Sequence, residues 1–284
     1  MLATRIAERA RPAQLSGNVS GLVLSVEDVL DLAQSLDLRP REVEIQALEQ
    51  GVAPERYARN VGGFGDMGLA GQLRLLKSHA AVIGLGGLGG FLVDHLARLG
   101  VGELTLVDGD FFTPDNLNRQ ILSDTRRLGV PKVQAAREHI QAVNPAVTVH
   151  GHQVFLDESN ARELLAGVQV VLDGLDRIPS RFILERCCRE LSIPLVHGAV
   201  TGWAGQVLTI FPHDPGLEWL YGHKPADAPA AESTVAPAVA IVAAVQAAEA
   251  LKVLTGQGEP LRGTALFLDL ARNWFETVDL AAQK

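Results

Sequence analysis

An α/β fold, Rossmann-like and doubly wound around a mainly parallel sheet, is the architecture this 284-residue chain predicts. Three observations predict it. Short apolar runs alternate with helical patterns from residue 80 to residue 200. The first run, Ala81-Val82-Ile83, opens onto Gly84, Gly86 and Gly89 and then the helical stretch F-L-V-D-H-L-A-R-L. The second run, Leu104 to Val107, ends on Asp108, about 20 residues past the last glycine, where an acid meets ribose hydroxyls.

Taken in order, residues 1 to about 20 read as frayed. Ser25-Val26-Glu27-Asp28 has the form of a capping box opening a helix through Leu36, with Val26, Val29, Leu30 and Ala33 on one face. Pro40 starts a second helix that Gly51 terminates. Residues 1–55 thus form a small N-terminal helical hairpin ahead of a main domain over 56–284, and a further helix is expected over Gly68 to Lys77. The main domain then alternates strand 80–83, helix 88–99, strand 103–107, helix 131–142 and strand 147–150. Helix 158–166, strand 168–172, helix 179–191 and strand 194–200 follow. After Gly202 a C-terminal antiparallel extension is expected: strand Gly205 to Phe211, helix Ala238 to Leu254, and strands 265–270 and 273–279. Between them lies a crossover loop, 212–236, rich in Pro, Ala, Gly and His. A loop of that length in a compact domain is more often functional than merely connecting.

Composition narrows the partners. A chain that is 47% hydrophobic and 20% charged has ample material for a sizeable core. A net charge of -8 supplies no global basic field, so neither nucleic acid nor an anionic membrane is an expected partner. The longest apolar stretch, Val235 to Ala250, is interrupted by Pro237, Gln246 and Glu249 and reads as a buried helix, too short and too polar to span a bilayer. The first residues carry Arg5, Glu8, Arg9 and Arg11 with no apolar segment of signal-peptide type. Cys187 and Cys188 are adjacent in a helical pattern, so their side chains diverge and they cannot supply a four-ligand zinc site. A reduced, cytoplasmic location is the expectation.

The candidate chemistry sits at strand ends, where ligands bind in open α/β sheets. Gly84 permits a tight turn, Gly86 lets backbone N–H groups approach phosphate, and Gly89 lets helix pack on strand. The run D-G-D-F-F-T-P-D-N-L-N-R-Q brings Asp108, Asp110, Asn116, Asn118, Arg119 and Gln120 to the same edge. Lys132 follows in G-V-P-K, and V-V-L-D-G-L-D ends in Asp173 and Asp176. Two cations and several carboxylates around a phosphate turn suit a triphosphate with Mg²⁺, whereas a dinucleotide needs neither. His197 and the cysteines read as core packing, and Asp173 as the partner of a nearby backbone N–H. Trp203 and Trp219 flank the crossover, where they suit a peptide groove or the core equally.

With R-Y-A-R-N, G-L-G-G-L-G, L-V-D-G-D, N-L-N-R-Q, G-V-P-K, L-D-G-L-D and the A-P-A-V-A-I-V-A-A-V-Q-A-A-E-A-L-K helix in order, the chain resembles the ThiF/MoeB/HesA group of ubiquitin-activating (E1-like) adenylyltransferases. The resemblance runs from about Arg56 to Leu280. It implies that Gly84, Gly86 and Gly89 form the ATP turn, Asp108 binds ribose beside Asp110, Asn116, Arg119 and Lys132 contact phosphates, and Asp176 holds Mg²⁺. It implies a homodimer, with Arg59 reaching into the partner's ATP site, and a small ubiquitin-fold sulfur carrier ending in Gly-Gly as substrate. The implied reaction is attack of the carrier's C-terminal carboxylate on the α-phosphate, within sulfur transfer for molybdopterin, thiamine or a related cofactor. The carrier's tail is expected along 212–236.

Three departures stand out. Many bacterial members carry two C-x-x-C pairs for zinc; here those segments read G-L-E-W-L-Y-G and F-E-T-V-D-L, so no zinc is expected. Members that form a thioester or persulfide use a crossover cysteine, where this chain has Ser233 and Thr234, far poorer nucleophiles than a thiolate. Arg177 stands where Asn commonly follows the metal aspartate. The alternatives are a superfamily member modifying tRNA or a short peptide, a non-catalytic nucleotide-binding partner, and a nicotinamide-dependent oxidoreductase sharing only the Rossmann half.

Overall fold

The structure is a computed structural model that describes residues 1–16, 19–61, 67–222 and 233–280. Its N-terminal part runs α1 (Leu2–Arg9), β1 (Arg11–Ser16), β2 (Val19–Leu24), α2 (Val26–Leu36), α3 (Pro40–Glu49) and β3 (Val52–Pro54). There follow α4 (Gly68–Leu76), β4 (His79–Ile83), α5 (Gly87–Leu99), β5 (Glu103–Val107), α6 (Lys132–Val143), β6 (Thr148–His152), α7 (Ala161–Leu164) and β7 (Val170–Asp173). The remainder is α8 (Ile178–Glu190), β8 (Leu195–Thr201), β9 (Ala204–Ile210), α9 (Glu218–Tyr221), α10 (Ala236–Thr255), β10 (Thr264–Asp269) and β11 (Trp274–Asp279).

The start of the chain corrects the expectation of a frayed end and a purely helical hairpin. Ile6 on α1 is fully buried with Leu24, Val29, Leu32 and Val43 in a small core of its own. β1 and β2 pair antiparallel, and β3 adds to β2 in parallel, Leu22 opposite Val52. The two expected helices are present. Ser25 caps α2, its hydroxyl accepting from the Asp28 N–H at 3.1 Å, a bond worth about 1 kcal/mol. Pro40 opens α3. The helix expected over 158–166 shrinks to the single turn of α7, and the crossover gains the single turn of α9. The middle of the expected crossover loop, 223–232, lies outside the described residues.

The main sheet has the order β11-β10-β9-β8-β7-β4-β5-β6. β8 through β6 pair in parallel, and β9 to β11 extend them antiparallel. The period-2 alternation of β4 shows why both faces are covered. Ala80 and Val82 join a core with Leu92 and Leu96 of α5 and Val239 and Val242 of α10. Ala81 and Ile83 join one on the other face with Leu184 and Cys188 of α8. From β4 the chain winds outward to β5 and β6, then returns to place β7 on the other side. The carboxyl ends of β4 and β7 therefore diverge around a topological switch point, the place such sheets bind ligands.

Helix α10 spans 20 residues, longer than the sequence suggested, and is long and apolar enough to cross a membrane by composition alone. Its setting is that of a core helix. The Gln246 amide donates to the carbonyls of Asp173 at 2.9 Å and Val196 at 3.2 Å. Glu249 accepts from the Thr209 hydroxyl and the Leu261 N–H, each at 2.6 Å.

Polar bonds tie the N-terminal layer to the sheet domain. Tyr57 is buried; its hydroxyl donates to Glu44 at 3.2 Å and accepts from the Asn144 amide at 2.8 Å. Arg56 pairs with Glu44 at 2.9 Å. Burial pushes the Glu44 carboxyl up to about 7, outweighing Arg56 and Tyr57, which pull it down. Between the unfolded value near 4.5 and about 7, the folded state holds a proton the unfolded chain has released, so stability falls as pH rises through that window. Glu44→Gln, which cannot ionise, is expected to flatten the loss of stability between pH 4.5 and 7.5 by on the order of 2 kcal/mol, read by denaturant melts across that range.

Candidate functional site

At the switch point the backbone of one strand end lies against that of the other. β4 runs out at Ile83, and Gly84 turns with φ +87°. A Cβ at Gly84 would lie 2.7 Å from the Gly174 carbonyl oxygen, and one at Gly89 would overlap the carbonyl of Gly84 itself. Both glycines are thus demanded by packing. Gly86 is not. A Cβ there would meet Gln120 Nε2 at 3.6 Å, an ordinary contact, so packing alone does not require glycine at that position. Helix α5 starts at the next residue, and its unpaired N–H groups and positive dipole end belong to the same turn.

Asp108, at the end of β5, braces this turn. One carboxylate oxygen accepts from the Leu85 N–H at 2.6 Å, the other from the Asp110 N–H at 2.7 Å. Asp110 in turn meets Lys132: its carbonyl accepts from the lysine N–H at 3.0 Å and its exposed carboxylate lies 3.3 Å from Nζ. Lys132 is otherwise buried at the head of α6. Glycine turn, Asp108, Asp110 and Lys132 therefore form one continuous edge. Asn116, buried in a 3-10 turn (Pro114–Asn116), accepts from the Thr113 N–H at 3.3 Å. Arg119 closes on its own loop, donating to the Asp115 carbonyl at 2.7 Å and the Asn118 side chain at 2.8 Å.

Asp176 is exposed, two residues beyond the Gly174 that touches Gly84. It also lines a cavity of about 770 Å³ together with Thr201, Gln206, Tyr221, Arg272 and Trp274. Arg177 beside it is exposed as well. Ser233 and Thr234 pair with the β8–β9 turn, the Gly202 N–H donating to the Ser233 carbonyl at 2.8 Å.

A buried polar network underlies the cavity. Asp173 accepts from the Leu175 N–H at 2.9 Å, and its other oxygen lies 2.7 Å from His197 Nδ1. His197 Nε2 lies 3.2 Å from the Tyr221 hydroxyl, on which the Gln206 amide (2.8 Å) and Arg181 (3.2 Å) also converge. Arg181 donates as well to the Leu175 carbonyl, inside the turn that carries Asp176. Burial pushes the His197 pKa down against the opposing pull of Asp173. His197 is a satisfied core histidine and Asp173 does bond the expected backbone N–H. Sequence reasoning missed Arg181 and Tyr221; the one available signal was an arginine one helical turn past Asp176–Arg177. Trp203 is half exposed at the β8–β9 turn, whereas Trp219 packs against the α8-side core. Both cysteines are buried in that core, and burial raises both thiols.

Arg59 stands apart from the rest. Its neighbours Tyr57 and Asn60 are tied to the far end of α5: Tyr57 packs on Gly100, and Asn60 bonds Gln72, which bonds the Leu99 carbonyl. Thirteen residues of helix separate that end from the glycine turn, about 20 Å at 1.5 Å per residue. Arg59 is exposed and has no hydrogen bond or ion pair among the described residues.

Residues 57–284 match the model of the ThiF family. The SAMP-activating enzyme E1 of Haloferax volcanii is 37% identical over 228 residues, 79% of this chain and 84% of that protein. The sulfur carrier protein adenylyltransferase of Thermus thermophilus is 38% identical over 228 residues, 76% of this chain and 83% of its own length. The adenylyltransferase and sulfurtransferase MOCS3-2 of Zea mays, 38% identical over 220 residues, is much longer, and the chain spans 45% of it. Among solved structures, E. coli MccB with AMPCPP and MccA shares the fold at a TM-score of 0.69 and 18% identity, covering 90% of this chain and 79% of that one. Extended across the whole sheet domain, matched by sequence as well as by fold, these likenesses make the chain a member of the ThiF family of E1-like adenylyltransferases.

Proposed function

We propose that this protein adenylates the C-terminal glycine of a small ubiquitin-like sulfur carrier, using ATP and Mg²⁺. The observation that carries the reading is the position of Asp176, on the rim shared by the glycine turn and the 770 Å³ cavity. Nucleotide on one side and an extended peptide tail on the other would meet there, which suits attack of a carboxylate on an α-phosphate. Family membership and relatives named as activating enzymes support it, and set aside the nicotinamide-dependent alternative.

The residues fit the nucleotide. Gly86 presents bare backbone where α5 begins, and Oε1 of the Gln120 side chain beside it is buried with no hydrogen-bond partner among the described residues. An exposed carboxylate such as Asp176 suits Mg²⁺, which takes one or two carboxylates and completes its shell with phosphate oxygens and water. When bound, that ion would supply charge neutralisation across the phosphates. The chain's own residues do the rest. The α5 N-terminus and the backbone over Gly86 hold the phosphates, and Lys132 and Arg119 neutralise the charge that builds on departing pyrophosphate. Lys132 reaches them by exchanging its contact with Asp110, Arg119 by leaving the Asp115 carbonyl. Asp108 both braces the turn and offers its remaining lone pairs to ribose hydroxyls. The incoming carboxylate is already a nucleophile, so no general base is needed and catalysis is positioning and electrostatics. The new bond joins carboxylate oxygen to the α-phosphorus, the bond to the β-phosphate's bridging oxygen breaks, and pyrophosphate leaves.

A homodimer follows from the same reading. Arg59 stands too far from its own glycine turn to serve it, so it would serve a second copy. Phe111, Leu117, Ile121 and Leu128 expose apolar surface on the segment between β5 and α6, where a second copy would cover them. Ser233 and Thr234 form no covalent intermediate in this scheme.

ATP–pyrophosphate exchange that depends on a carrier ending in Gly-Gly is the expected activity. Lys132→Ala is expected to lower it by about 10²–10³-fold, while an exchange rate within twofold of the original protein would overturn its role. Asp176→Asn is expected to raise the Mg²⁺ concentration needed for half-maximal exchange by at least about tenfold. Arg59→Ala and Lys132→Ala, each inactive alone, are expected to recover about a quarter of full activity when refolded together in equal amounts, because half the dimers then hold one intact site. No recovery would show that Arg59 does not act across subunits.

A further inference from the structure

A second group of chemistry-bearing side chains lies at the opposite edge of the sheet, where β4, β5 and β6 begin. In the register of these strands His79 stands opposite Glu103 and Thr105 opposite His150. Residues 103 and 105 are two apart on one strand, so the pleat turns all four side chains to the same face. One donor atom from each of His79, Glu103 and His150 lies within 4.8 Å of the other two. His150 Nε2 is 3.0 Å from Glu103 Oε2, and the two imidazole rings are 5.5 Å apart between centroids. Nothing in the adenylation scheme uses them.

Their surroundings suit a ligand set. Arg41 holds the other Glu103 oxygen at 2.8 Å, which orients the carboxylate and leaves Oε2 toward the histidines. His79 is half-buried, and its Nε2 lies 2.8 Å from the Thr105 hydroxyl.

We propose that His79, Glu103 and His150 form a binding site for a divalent transition metal, with Zn²⁺ the best matched ion. Two imidazoles and one carboxylate select zinc over Mg²⁺ or Ca²⁺ and leave a fourth position for water. Donors around tetrahedral zinc stand about 3.3 Å apart, so the site closes by a small side-chain rotation, mainly of exposed His150. The Thr105 hydroxyl gives up its bond to Nε2 as the metal takes it. Because Arg41 occupies one carboxylate oxygen, Glu103 binds through the other alone, and a micromolar affinity is expected. Bound metal would pin the starts of three strands and, through Glu103 and Arg41, the N-terminal layer to them. The site lies well away from the glycine turn, at the opposite end of β4.

The test uses the full chain, stripped with a chelator and titrated with Zn²⁺ or Co²⁺ alone. One equivalent is expected to bind, with visible Co²⁺ absorption bands of a nitrogen–oxygen site and a raised melting temperature. His150→Ala, a surface change that leaves the fold and pyrophosphate exchange intact, is expected to weaken binding at least tenfold and remove the bands; His79→Ala is expected to do the same. Saturable binding unchanged in His150→Ala would place the metal on other histidines and overturn the proposal. No binding at millimolar Zn²⁺ would overturn it as well.

Discussion

The contact of two backbones, Gly84 against Gly174, is the constraint on which the site rests. It joins the end of β4 to the end of β7 where the sheet's winding reverses, and neither residue tolerates a side chain there. Everything placed for chemistry is referred to that contact. Gly89 brings α5 onto the turn from one side, and Asp108 ties the turn to β5 through the Leu85 N–H. From the other side the same contact fixes the start of the segment that carries Asp176. The distance between the glycine turn and the Asp176 carboxylate is thus set by main-chain packing, which is stiffer than any pair of side chains.

Around that contact the molecule separates two kinds of work. The edge of β4, β5 and α6 carries fixed charge and N–H donors, suited to an anion. The side of β8, β9 and β10 carries a roomy, partly aromatic cavity, suited to an extended chain. Arg181 connects them, since it reaches from Tyr221 beside the cavity to the Leu175 carbonyl inside the Asp176 turn. The two halves are therefore mechanically coupled through Arg181 and the turn that carries Asp176.

What the sequence disclosed and what it withheld follow from locality. The glycine turn, Asp108, Asn116 and Lys132 were legible because each belongs to a contiguous motif whose spacing encodes a strand, a turn and a helix. The α/β alternation was legible for the same reason. The β1–β2 hairpin was missed although Gly17-Asn18 is a hairpin signal, because its strands are short and mostly exposed, so their apolar alternation is faint. Tyr221 could not be assigned, because its three partners lie on β8, β9 and α8, and only the packed fold unites them. The same holds for His79, Glu103 and His150, which meet through the register of three parallel strands. That the arm carrying Arg59 docks at the far end of α5 is likewise stated by no local pattern.

The network beneath the cavity also carries a direction. The Tyr221 oxygen receives hydrogens from both Gln206 and Arg181, so its two lone pairs are spent and its own hydrogen has only His197 Nε2 left to meet. That obliges the imidazole to keep its proton on Nδ1, facing Asp173. One arrangement of hydrogens therefore satisfies Asp173, His197, Tyr221, Gln206 and Arg181 together, and the carboxylate at one end and the guanidinium at the other call for the same tautomer.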